Sequence, residues 1–263
     1  METFYSQAYL YDQFIHDVPS GRARRRDYRW NLAYFRRVLP PLFGKSLLNQ
    51  ECAFHAAIAG AVSPGDTFIS FNYDCLLDRA LARHAGRRWR PTDGYGFEVA
   101  DPDGIWADHS GFGRPYKNTI QLLKPHGSLN WSLSDAGACI LLRNEYARRP
   151  ESELVIVPPL WQKSFDEEPY LTIWRRTRQV LSAVKALFVI GYSLPETDVY
   201  TQATLRMDIQ ELDFLCIVNP DAAARQRILQ TLRSAITTSK HSVEFEKLSD
   251  LAALLPPVAI GAQ

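Results

Sequence analysis

The sequence has little cysteine, and what it has is unpaired. Cys52, Cys75, Cys139 and Cys216 are widely scattered and form no C-x-x-C pair. That excludes a zinc site built on paired cysteines and a secreted disulfide framework, and it points to a reducing interior. Long hydrophobic runs are lacking too: no stretch reaches the uninterrupted apolar length that a membrane span needs. Met1 opens onto ETFYSQAYLYDQF, with neither the basic nor the apolar region of a signal peptide, so a cytoplasmic location is expected. Nor does charge of one sign prevail. Thirty Lys and Arg stand against 29 Asp and Glu, a formal net charge of +1. A global attraction to nucleic acid, an anionic membrane or an acidic polymer is therefore excluded, and any such partner needs a local patch. There is no internal repeat and no low-complexity tract.

What remains is ordinary globular material: 263 residues, 46% hydrophobic and 22% charged. Short runs rich in β-branched and aromatic residues occur at 67–73 (TFISFNY), 119–124 (TIQLLK), 154–157 (LVIV), 187–192 (LFVIGY), 214–218 (FLCIV) and 243–245 (VEF). Being apolar on both faces, they suit buried parallel strands. Between them the spacing predicts helices over 170–186, with Leu171, Trp174, Val180, Leu181 and Val184 on one face, and over 222–236, with Ile228, Leu229, Leu232 and Ile236. This alternation implies βαβ units with right-handed crossovers. Residues 1–62 are expected to be a helical part of the same domain, 63–255 its α/β core, and 256–263 a frayed tail. Residues 86–118, rich in Gly, Asp, Pro and aromatics, look like an excursion, a lid or a small subdomain.

Four of the expected strand ends concentrate polar residues directly after an apolar run: Phe71-Asn72-Tyr73-Asp74, the segment from Lys124 to Trp131, the segment from Gly191 to Asp198, and Val218-Asn219-Pro220. In an open parallel sheet, ligands bind at the carboxyl ends of the strands. A histidine and an amide side chain at such ends, His126 and Asn72, suit a reaction that needs orientation, a water and a group to manage hydroxyl protons.

The strings FNYD, KPHGSLNW, VPP, GYSLPETD and VNP, in this order, resemble the SIR2-like domains of bacterial NAD-consuming proteins. KPHGSLNW and GYSLPETD are quite specific; FNYD and VNP alone are not. The resemblance spans roughly residues 66 to 220. It implies a Rossmann-like open parallel sheet of the sirtuin and deoxyhypusine-synthase type, flanked by helices, with NAD⁺ across its carboxyl edge and no metal. It further implies that Asn72 sits by the nicotinamide ribose and helps place the attacking water, and that Asp74 belongs to the nicotinamide pocket. His126 is then the base toward the ribose hydroxyls, Gly191 and Ser193 form the turn near the adenosine, and Asn219 lies near the adenosine ribose. The activity implied is hydrolysis of NAD⁺ to nicotinamide and ADP-ribose, in antiviral defence, with a sensor protein or a homo-oligomer as partner.

Two departures bear on this. The glycine-rich turn that holds the pyrophosphate in such domains has no counterpart here, since Gly21, Gly44 and Gly60 lack a preceding buried strand. That leaves open a non-catalytic or truncated module that binds NAD or ADP-ribose, or serves as an assembly surface. The paired cysteines of zinc-bearing deacylases are also missing, which favours simple hydrolysis over deacylation.

Each candidate has a plainer structural role beside the functional one. His126 can be a strand-end histidine satisfied by backbone, Asn72 and Asp74 can cap the helix near Cys75, and Thr197 and Asp198 can start the next helix. Ser193 and Asn219 suit turns, Asn219 because it precedes Pro220. Asn130 and Trp131 are expected to brace a loop after His126. The basic cluster Arg22, Arg24–Arg26, Arg29, Arg36 and Arg37 suits a solvated helix face or a docking face, and Arg87, Arg88 and Arg90 around Trp89 could approach the NAD⁺ phosphates.

Overall fold

The computed structural model describes residues 52–101, 119–134, 137–142, 153–157, 168–247 and 250–251. The arginines between Arg22 and Arg37, residues 102–118 of the expected excursion, Pro158 and Pro159, and the 256–263 tail lie outside the described residues, as does most of the 1–62 region expected to be helical.

In chain order the elements are α1 (Ala53–Ala61), β1 (Thr67–Ile69), α2 (Leu76–His84), a 3₁₀ turn at Gly86–Arg88 and a single helical turn at Pro91–Gly94. Then follow β2 (Gln121–Leu123), β3 (Gly127–Leu133), β4 (Cys139–Leu141) and β5 (Glu153–Ile156). The rest is α3 (Tyr170–Ala183), β6 (Ala186–Ile190), α4 (Val199–Asp208), β7 (Leu212–Val218), α5 (Ala222–Thr231) and β8 (Ile236–Phe245). Two parallel sheets, β1–β2 and β6–β7–β8, carry the α/β character expected from the apolar runs. Helices alternate with these strands, as βαβ connections require. Two hydrophobic clusters stabilise them. One gathers Leu81, Trp89, Tyr95, Leu122, Leu123, Trp131 and Ile173, the other Leu181, Leu194, Leu215, Ile217 and Ile228. Ile69, the last residue of β1, packs against both.

A third sheet, ordered β4–β3–β5, is antiparallel and corrects two expectations. The 154–157 run pairs antiparallel with β3 rather than joining a parallel sheet. The supposed loop after His126 is itself a strand, in which Asn130 and Trp131 are fully buried. Its apolar residues Leu129, Trp131 and Leu133 alternate with Ser128, Asn130 and Ser132, a pattern that usually marks one solvent-facing side. Here the polar side is buried as well, and a charged network described below satisfies Ser128 and Asn130.

Two smaller corrections concern helices and the excursion. Helix α3 stops at Ala183, where Val184 turns extended, and its buried face is Ile173, Trp174, Thr177 and Leu181, with Leu171 left exposed. The described start of the excursion is core wall. Trp89, Tyr95 and Val99 are buried, Tyr95 meets Trp131 edge-on at 4.9 Å, and Ala100 bridges Ile140.

Candidate functional site

Three parallel strands deliver their carboxyl ends to one place. Leaving β1, the chain passes through Ser70 and Phe71, whose ring stacks on Tyr192 from the end of β6 at 4.5 Å. Beyond β2 comes His126, 5.2 Å from the Phe71 ring and 6.4 Å from Trp174 of α3, ring centre to ring centre. The imidazole Nε2 lies 3.7 Å from Oδ2 of Asp198, and that same oxygen accepts a 2.7 Å hydrogen bond from the Tyr192 hydroxyl. His126 is nearly buried, and its backbone carbonyl accepts the Val157 amide at 2.9 Å. Its main chain thus joins the end of β5, while its ring faces a carboxylate.

Asn72 directly follows Phe71 and is exposed. Its backbone N–H reaches the Ser70 hydroxyl at 3.4 Å, and its side-chain amide takes no hydrogen bond among the described residues. Asp74 does act at a helix start: its Oδ1 accepts the Leu76 N–H at 3.0 Å, holding the first turn of α2. Asp198 stands at the N-cap position of α4 but makes no capping bond with its side chain.

The turn after β6 is built for tight curvature. Gly191 has φ +66 and Leu194 φ +48, the latter a conformation that an L residue adopts only when its surroundings impose it. Leu194 is buried in the second cluster, which supplies that constraint. Ser193 is exposed, with its carbonyl held by the Arg227 guanidinium at 3.0 Å. Asn219, at the end of β7, donates from Nδ2 to the Tyr192 carbonyl at 3.1 Å and accepts the Asp221 N–H at Oδ1 at 2.9 Å. Its amide therefore ties the β6 and β7 ends together, the turn role foreseen for it.

Beneath the β1 loop lies a buried polar network whose key members, Lys124 and Asp78, were not anticipated from sequence. The Lys124 ammonium, fully buried, donates to the Asp74 carbonyl at 2.7 Å and to the Ser128 hydroxyl at 2.6 Å, and pairs with Asp78 at 3.1 Å. Tyr95 donates to the other Asp78 oxygen and accepts from Asn130, while Ser128 donates to Asn130. Burial alone pulls the Lys124 pKa down, but Asp78, Cys75 and Asp74 together more than reverse this and leave it above the ordinary lysine value. Burial and the same carboxylate push the Tyr95 hydroxyl well up. Nearby His55 of α1 is lowered by burial against the opposing pull of Asp74 and Asp78. The chemistry of this network is support: it fixes Asp74, and with it the loop that carries Asn72. The signal for it was the lysine directly after an apolar run, where a charge needs a buried partner.

Arg88 is engaged away from the strand ends. It donates to the carbonyls of Gly60, Val62, His84 and Ala85, and Trp89 is buried in the core. Among the described residues no group of three or more His, Cys, Asp or Glu could hold a metal, and no helix is long and apolar enough to cross a membrane.

No curated protein matches the chain. Residues 66–235, about two thirds of it, match the family described as SIR2-like domain, and the match takes in β1, His126, the Gly191 turn and Asn219. The chain belongs to the SIR2-like domain family, whose domains bind NAD, and its own chemistry is accordingly NAD-related.

Proposed function

We propose that this protein hydrolyses NAD⁺ at the nicotinamide–ribose bond. The observation that carries the reading is the convergence of His126, Asp198, Tyr192 and Phe71 at the carboxyl ends of β1, β2 and β6, beside an exposed Asn72. In the reaction the glycosidic C–N bond breaks with its electron pair passing to the nicotinamide nitrogen, which becomes neutral. Water forms the new bond to the anomeric carbon and loses a proton, leaving ADP-ribose. Catalysis then consists of holding the ribose, placing the water and managing hydroxyl protons.

His126 takes a proton from a ribose hydroxyl, and the Asn72 amide positions the water. Asp74 shapes the nicotinamide side by holding the loop. Gly191 and Ser193 border the adenosine side, and Asn219 keeps that turn against the end of β7. The unit that carries this activity is the 63–255 core, and residues 1–62 are a helical part of the same domain. Depletion of NAD⁺ in antiviral defence, triggered through a sensor or by self-assembly, is the setting we infer for it.

The test is release of nicotinamide and ADP-ribose from NAD⁺ by the full chain, followed by chromatography. Release that disappears in His126→Ala and in Asn72→Ala supports the reading. A folded parent that binds NAD⁺ without releasing nicotinamide refutes it in favour of a non-catalytic binding module, the alternative that the missing glycine-rich turn favours.

A further inference from the structure

The geometry points to Asp198 as the positioning residue for His126, with Tyr192 modulating the carboxylate. Helix starts favour Asp because its carboxylate can accept the first free N–H groups. Asp198 holds that position in α4 yet forgoes the bond. Its side chain turns inward, is 3% exposed, and points one oxygen at both the Tyr192 hydroxyl and His126 Nε2. A carboxylate taken out of water is favourable only where other groups compensate it. The Tyr192 hydroxyl supplies one hydrogen bond, and the His126 imidazole at 3.7 Å supplies an opposite charge whenever it is protonated.

The groups reaching the imidazole come from four elements. Among the described residues, Phe71 after β1 and Trp174 of α3 bring uncharged rings, Asp198 before α4 brings the charge, and Tyr192 after β6 reaches the imidazole through that carboxylate, to which it is hydrogen-bonded. When His126 accepts a proton, Asp198 stabilises the resulting cation and restrains the ring, without itself gaining a proton or forming a covalent bond. The role of this pair in turnover rests on the hydrolytic reading, whereas the pair itself does not.

The experiment is an NMR titration of the His126 imidazole in the full-length protein and in Asp198→Asn, Asp198→Glu and Tyr192→Phe, with nicotinamide release measured on the same samples. Removing an opposite charge this close lowers the His126 midpoint by about one pH unit in Asp198→Asn, and Asp198→Glu restores part of it. Tyr192→Phe removes a donor from the carboxylate, strengthens its pull on the imidazolium and raises the midpoint. General loss of packing cannot produce shifts of opposite sign. An unmoved midpoint in Asp198→Asn, or shifts of the same sign in Asp198→Asn and Tyr192→Phe, overturns the assignment. Opposite shifts in a parent that releases no nicotinamide leave the pair standing and remove hydrolysis. Release that persists beside unmoved midpoints does the reverse.

Discussion

Replacing His126 by alanine is expected to lower nicotinamide release by at least about 100-fold, the lower end of what a positioned proton acceptor contributes. Two residues upstream the same substitution logic reads out differently. Lys124→Met leaves Asp78 buried without its counter-charge and is expected to cost about 3–5 kcal/mol in urea denaturation. Lys124→Met with Asp78→Leu recovers part of that loss, because no lone charge then remains; a double variant no more stable than the single one contradicts the pairing. His55 gives an acid-side signature. Its pKa is lowered from 6.5 by burial, so the folded state resists a proton that the unfolded chain accepts. Stability is complete above that value and falls as the pH drops through it. A melting-temperature series from pH 8 to about pH 5 should show a shallower acid-side decline in His55→Phe than in the parent.

Two turns position the site, and their glycines answer different needs. Gly127, which joins His126 to β3, has φ +85, and a Cβ there would lie 2.0 Å from the Val155 carbonyl oxygen of β5. Gly191 has φ +66 with nothing within 4 Å of such a Cβ. Gly191→Ala therefore carries only the left-handed backbone penalty, about 1–2 kcal/mol. Gly127→Ala adds a backbone clash that splits β3 from β5 and displaces His126. Chemical denaturation should rank Gly127→Ala well below Gly191→Ala, and equal losses would show that the β3–β5 approach is not tight. These glycines stand inside strings that were legible as strand-end motifs, whereas β3 itself was not. Alternation of Leu129 and Trp131 with Ser128 and Asn130 reads as a half-exposed segment until Lys124 and Asp78 supply its buried polar face.

For the molecule as a whole, alkaline conditions should be the more damaging. Burial pushes the Cys139 thiol up to about 12 from 9.0, and raises Cys216 as well. Above pH 9 the unfolded chain loses these protons while the folded one retains them, so stability falls as pH rises toward the folded values. Tyr95, raised by burial and Asp78, adds to the same trend, and the raised Lys124 contributes stability that is lost as its own proton leaves. Thermal melts from pH 8 to about pH 11 should decline steadily, and less so in Cys139→Val; an unchanged slope in that variant would remove the thiol from the account. By itself the sequence determined the strand and helix alternation from Thr67 onward, the polar residues at strand ends and the family they spell, because periodicity and motif spacing are local properties of a chain. Tertiary structure alone decided which of those polar groups meet. Asp198 was legible as a helix-start residue, and only the approach of the β2 and β6 ends turns it toward His126. Lys124 and Asp78 lie in separate elements, and Ser128 is buried only because β3 folds over both. The physical reason is that a hydrogen bond or ion pair between distant segments leaves no periodic mark: each partner is satisfied by a group whose position the fold, and not the neighbouring sequence, supplies.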